Sequence, residues 1–403
     1  MNINNRLELI ACSLFLLALT ACGGGGGGDT GGGTPATTPP STTTNGSTPG
    51  NTSGSPDNGS SAPPPTANTS RFLYMVANSE DGRYTLIKSY SIDAATGALA
   101  GIGETGREHF PGGGLIAVDP FSKFLYAAGD GKFTGYSIDG ATGALTSTGT
   151  SVPAHIGSAS LHFVPSGKFA YAPNMGNEDP TGTVSGYSVN AANGALSEIP
   201  GSPFPSGERS FWIAFDPSGK FAYVANALSG IWGYRIDSTT GALTNIGSIS
   251  EQGTNFVAVA PSGKFAYVVN YLANDISVYS IDPTTGLLTS IGPRVHTEES
   301  PGYLTFTPSG KFAYVTLAAD DILVYSVDTT TGVMTSLGPA TGPRSGRAAF
   351  TIEASGKFAY VGNMDLGNVS AYRVDAATGA LTEIPGSPFA TGALPHSLVA
   401  AGQ

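Results

Sequence analysis

The sequence predicts an all-β chain folded as a single seven-bladed β-propeller, and three observations predict it. The strand-like segment Lys-Phe-Ala-Tyr recurs with its tyrosine at Tyr74, Tyr126, Tyr171, Tyr223, Tyr267, Tyr314 and Tyr360, at spacings of 44 to 52 residues. A second element, Tyr-Ser-Ile-Asp-x-x-Thr-Gly-Ala-Leu, recurs with its glycine at Gly97, Gly143, Gly194, Gly241, Gly286, Gly332 and Gly379. The chain ends are complementary. Arg71-Phe-Leu-Tyr74 matches the second strand of the other units, so the first unit lacks its innermost strand, and His396-Ser-Leu-Val-Ala400 supplies that strand with no second strand after it. The C-terminal strand is therefore expected to pair with the first blade and to remove the open sheet edges that invite aggregation.

Each unit reads as four short strands. In the fourth unit these are Ser210-Phe-Trp-Ile-Ala-Phe215, Lys220-Phe-Ala-Tyr-Val-Ala225, Ile231-Trp-Gly-Tyr-Arg-Ile236 and Ala242-Leu-Thr-Asn-Ile246, apolar or alternating runs bounded by turn residues. Asp216-Pro-Ser-Gly219 separates the first two and Asp237-Ser-Thr-Thr-Gly241 the last two, sequences in which Gly supplies positive φ and Pro presets its neighbour. Four strands per unit, seven times over and without helical periodicity, favour a propeller over a sandwich.

Antiparallel strands put the turns after strands one and three on one side and the remaining connections on the other. The first side is monotonous and carries Lys123, Lys168, Lys220, Lys264, Lys311 and Lys357, one in each repeat after the first, as solubilising charge. The second side holds the sequence variation, where binding residues usually sit. It carries Arg107, Glu108, His109, His155, Glu208, Arg209, Glu251, Arg294, His296, Glu298, Glu299, Arg344, Arg347 and His396, which include four of the five histidines and half of the ten arginines. These residues are expected to converge on one mouth of the central channel. Arg107, His109, Arg209, Arg294, His296, Arg344 and Arg347 would bind an anionic small molecule, glycan or protein, and His155, His396 and Glu208 would serve in proton transfer. His162, inside a strand, reads as a core histidine. No metal and no cofactor is expected: the acidic loops at Glu80-Asp81, Glu178-Asp179 and Asp320-Asp321 lack calcium-loop spacing.

A formal net charge of −11 with 12% charged residues leaves no positive field for a phosphate backbone, so nucleic acid is excluded as a partner. Both cysteines, Cys12 and Cys22, fall within the first 22 residues, so the folded part has no disulfide and must rely on packing. Residues 1–22 read as a signal peptide whose apolar run, from Leu9 to Leu19, is too short to span a bilayer. Leu19-Thr-Ala-Cys22 resembles a bacterial lipobox, which implies lipid on Cys22, a membrane partner and an envelope location. Residues 23–70 are almost wholly Gly, Thr, Ser, Pro and Asn and cannot bury enough surface to fold. They would form a tether with a typical reach of about 35 to 42 Å, ahead of a propeller spanning 71–403, expected as a monomer.

The repeats Pro217-Ser-Gly-Lys-Phe-Ala-Tyr-Val-Ala-Asn226 and Pro261-Ser-Gly-Lys-Phe-Ala-Tyr-Val-Val-Asn270, with Tyr-Ser-Ile-Asp-x-x-Thr-Gly-x-Leu, resemble the Tyr-Val-Thr-Asn propellers and the lactonase family. That family includes 6-phosphogluconolactonases and muconate-lactonising enzymes. The resemblance implies a Pro-His pair six residues ahead of a middle-blade turn. Here Ser158-Ala159 occupies those positions ahead of Pro165-Ser-Gly-Lys168, and only Pro395-His396 keeps the pair. Arg209, Glu208, Arg294 and Arg347 are the counterparts offered for the family's Arg and Glu. With the motif broken, the sequence favours a non-catalytic binding scaffold, the alternative being a lactone hydrolase acting on an anionic sugar or organic-acid lactone.

Overall fold

The computed structural model describes residues 71–78, 85–108, 115–129, 131–155, 157–158, 160–176, 181–318, 321–340 and 349–402, with the side chains of Arg107 and Glu108 excepted. Cys22, the tether, His109, Arg344 and Arg347 lie outside the described residues, as do the acidic pairs at 80–81 and 178–179 and residue 320.

The described elements are all β, arranged as seven antiparallel sheets. The fourth blade runs Ser210–Phe215, Phe221–Asn226, Gly230–Ile236 and Leu243–Ile249 from the inside out. The third, fifth and seventh blades split their outermost position into two short segments, such as Leu196–Glu198 and Phe204–Glu208. Ring closure follows the expected swap. Leu394–Ala401 lies innermost in the first blade against Arg71–Asn78, with Tyr74 opposite Val399 and Met75 opposite Leu398.

The second strand of every blade is buried on both faces, which explains its unbroken apolar sequence. Alternate residues serve different neighbours: Phe72, Tyr74 and Val76 join the core shared with the second blade. Leu73, Met75 and Ala77 join the core shared with the seventh. The hydrophobic core is accordingly seven separate clusters, one per blade interface.

One polar contact repeats at every interface. Each repeat tyrosine is buried and donates its hydroxyl proton to the carbonyl of the turn glycine in the next blade: Tyr74 to Gly143 at 2.9 Å, Tyr126 to Gly194 at 2.7 Å and Tyr171 to Gly241 at 2.6 Å. Tyr223 reaches Gly286 at 2.8 Å, Tyr267 Gly332 at 2.8 Å, Tyr314 Gly379 at 2.7 Å, and Tyr360 closes the ring onto Gly97 at 2.9 Å. Burial raises the tyrosines far above their ordinary range, so they remain donors.

The acceptor glycine is required twice over. Gly286 has φ of 78°, and a Cβ there would sit 2.3 Å from the ring of Phe221. The phenylalanine two residues before the repeat tyrosine of each blade lies in the same way over the glycine of the next. The turn is held from below by its aspartate: Asp282 Oδ1 accepts the amides of Thr284 at 2.9 Å and Thr285 at 2.7 Å. The closing seam adds an ion pair, Arg71 Nη1 to Glu353 Oε2 at 3.5 Å.

Replacing Tyr223 with Phe leaves the Gly286 carbonyl buried without its donor and is expected to cost about 1–3 kcal/mol. The shift of the urea midpoint at constant m-value checks this, and an unchanged midpoint would mean that water replaces the phenol.

Candidate active site in the central channel

The innermost strands do not run straight to the variable side. In the first, fourth, fifth and sixth blades the register slips by one residue near that end, between Ser210 and Trp212, Thr254 and Phe256, Pro301 and Leu304, and opposite Val76 and Ala77. Such bulges bend a strand and re-aim a side chain, and they are common beside active sites. In the closing strand, Ser397 pairs with Val76 and Pro395 with Ala77, so the residue left over is His396.

The strands enclose a channel cavity of about 580 Å³, within the range of small-molecule sites. Its wall is largely apolar and aromatic, with Phe163, Trp212, Phe215, Tyr303, Phe350 and Leu398, and it contains two histidines, His162 and His396. No Lys, Arg, Asp or Glu lines it among the described residues. Trp212 is the centre of a ring cluster, 4.2 Å from His162 edge-on, 4.7 Å from Phe256 and 5.8 Å from Tyr303.

His396 is partly buried, and its Nε2 is enclosed without a hydrogen-bond partner. Burial lowers its affinity for a proton, which keeps the ring neutral at neutral pH. Burial lowers His162 as well, and its Nε2 lies 2.8 Å from Ser160 Oγ. The expected core histidine is therefore a wall residue of the channel, half-buried rather than sealed in a blade interface.

None of the other described candidates lines the cavity. His155 is half-buried and pairs through Nε2 at 3.1 Å with Oε1 of Glu198, a residue of the outermost strand of the third blade. His296 is exposed on the outer segment Val295–His296, paired to Asp275–Ile281. Glu208 is exposed at the end of the outer segment Phe204–Glu208. Arg209 follows it with φ of 57°, turning the chain into the innermost strand of the fourth blade. Arg107 lies in the outermost strand Leu99–Glu108.

Arg294 is committed to neighbouring acids. Its Nη2 reaches Glu251 Oε1 at 3.4 Å and its Nη1 reaches Asp275 Oδ2 at 3.3 Å. Glu251 is buried and also accepts hydrogen bonds from the hydroxyls of Tyr279 and Ser277, tying the connection from the fourth blade to strands of the fifth. An arginine so neutralised is poorly placed to hold a ligand anion.

A family model described as a lactonase, seven-bladed β-propeller, matches residues 59–346 and 318–393. The chain belongs to that family. Over 91 residues it is 44% identical to a 6-phosphogluconolactonase from Formosa agariphila, a match spanning a quarter of that relative. Among solved structures it superposes on the periplasmic gluconolactonase of Pseudomonas aeruginosa with a TM-score of 0.64 and 17% identity, covering 83% of this chain and 99% of the other. It superposes on a candidate 6-phosphogluconolactonase from Bacteroides uniformis with a TM-score of 0.68 and 17% identity, covering 83% and 100%. These likenesses establish the propeller.

Sequence reasoning missed Ser160, His162, Trp212 and Tyr303 as site residues. The available signal was the placement of polar and aromatic side chains two apart on innermost strands, where period two sends them to one side.

The two neutral histidines set a pH dependence. In the unfolded chain an imidazole binds its proton near 6.5, whereas burial lowers that value in folded His162. Between those values the unfolded state holds more protons, so stability is complete above about 6.5 and falls with falling pH. The urea midpoint of the native chain should drop from pH 7 to pH 5, ahead of the carboxylates. In His162→Gln the drop should be shallower; equal slopes would mean that the ring protonates freely in the channel.

Proposed function

We propose that this propeller is a lactone hydrolase that opens its substrate inside the central channel, with His396 as the general base that draws a proton from the attacking water. The observation that carries the reading is His396 itself: a neutral ring at a strand bulge, lining the cavity, with a buried Nε2 that has no partner. A base needs an available lone pair in a site that limits bulk water. Family membership and the 6-phosphogluconolactonase relative support this reading over the binding scaffold that the broken Pro-His motif favoured.

The described wall is suited to the ring and carbon skeleton of a sugar or organic-acid lactone, with aromatic faces against its C–H surface and two imidazoles at its polar edge. Recognition of an anionic group would fall to residues outside this wall.

The wild type should hydrolyse at least one of glucono-1,5-lactone, 6-phosphogluconolactone and muconolactone, and His396→Asn should lower kcat about 10²-fold or more. Full activity in that variant removes His396 from the mechanism. No turnover on the whole panel returns the scaffold reading.

We further propose that lipid on Cys22 holds the propeller at the envelope, a reading supported by Leu19-Thr-Ala-Cys22. Cys22→Ser should move the protein from the membrane fraction to the soluble one; retention in membranes with normal processing would sink the anchor.

A further inference from the structure

A second polar pair in the channel is left unused by a mechanism in which His396 activates water. Ser160 lies two residues before His162, which begins the innermost strand of the third blade. Both line the cavity. Ser160 is 5% exposed, and its Oγ lies 2.8 Å from His162 Nε2, the reach of a nucleophile and its base. Trp212 meets the imidazole edge-on at 4.2 Å and limits its rotation.

On this geometry we propose that Ser160 is the nucleophile of an acyl-enzyme reaction, activated by His162, a deepening that rests on the lactone-hydrolase reading. Ser160 Oγ attacks the lactone carbonyl carbon while its proton passes to His162 Nε2. The ring C–O bond breaks, and the departing ring oxygen takes that proton and becomes the free hydroxyl of the opened chain. The acyl group is then an ester on Ser160. Water attacks this ester and gives one proton to His396, the Oγ–acyl bond breaks, and that proton then returns to Oγ. One lactone and one water yield one hydroxy acid, with no other reactant. His396 has a separate place in this sequence, as the base for the water of the second half.

The assignment separates the two histidines. Acylation belongs to Ser160 and His162, and deacylation to His396. In His396→Asn the acyl-enzyme should therefore accumulate instead of failing to form.

The test uses the full-length protein, a lactone that the wild type turns over, and a fluorophosphonate probe, read by intact mass and peptide mapping. The probe should add one phosphonyl group at Ser160. Ser160→Ala should lose the label and about 10³-fold or more of kcat/KM, and Ser160→Ala combined with His162→Gln should lose no more than the worse single variant, because the pair acts as a unit. Ser160→Cys guards against a folding artefact, since a thiol at this position should be acylated by the lactone and retain a mass adduct. In His396→Asn a lactone pulse should leave the acyl mass on Ser160. Lactone turnover that survives in Ser160→Ala overturns the dyad and leaves the hydrolase reading intact. Absence of turnover in the wild type overturns the hydrolase reading, and the dyad with it.

Discussion

The fold depends on one hydrogen bond made seven times, from a buried tyrosine hydroxyl of one blade to a glycine carbonyl of the next. Each partner is determined by its own chain. The tyrosine sits mid-strand, where both sheet faces are covered, and the glycine takes the positive φ that lets its turn pass beneath a neighbouring phenylalanine. Because the last bond runs from Tyr360 back to Gly97, the series closes on itself and no blade interface lacks the contact. A buried phenol without its acceptor, or a buried carbonyl without its donor, would be costly. The contact therefore selects against other ways of stacking the same apolar faces.

Seven small cores replace one large one, and this sets what the centre of the molecule can be. The innermost strands pack sideways onto neighbouring blades and leave their inner edges facing a shared axial space. Side chains there are constrained by the width of the ring rather than by close packing, so the channel tolerates a mixture of Trp, Tyr, Ser and His. The bulges near its variable end are the local device that turns a regular strand into a site, and one of them presents His396. That residue belongs to the strand that closes the ring, so the first blade and the candidate base are completed by the same segment.

The charged residues illustrate a different constraint. A connection on the variable side starts at the outermost strand of one blade and ends at the innermost strand of the next, so its residues are spread from the rim to the axis. His296 and Glu208 stand on outer segments, His155 pairs with Glu198 of another, and Arg294 is absorbed by Glu251 and Asp275. Residues on one face need not share one mouth, and the chemistry moves from an arginine-lined rim to an apolar channel with two neutral imidazoles.

The sequence by itself determined the blade count, the four-strand unit, the two turn types and the closing strand, because each is written in short-range patterns repeated seven times. It also carried Pro395-His396, the piece of the site that coincides with a motif. It placed His162 in a strand but could not say that this strand faces the axis at that point, nor that Ser160 Oγ would meet Nε2 there. Radial position was decided only by the tertiary structure. It depends on how seven sheets splay about a common axis and on which strand slips by a residue, and both are settled by packing between blades that lie far apart in the chain.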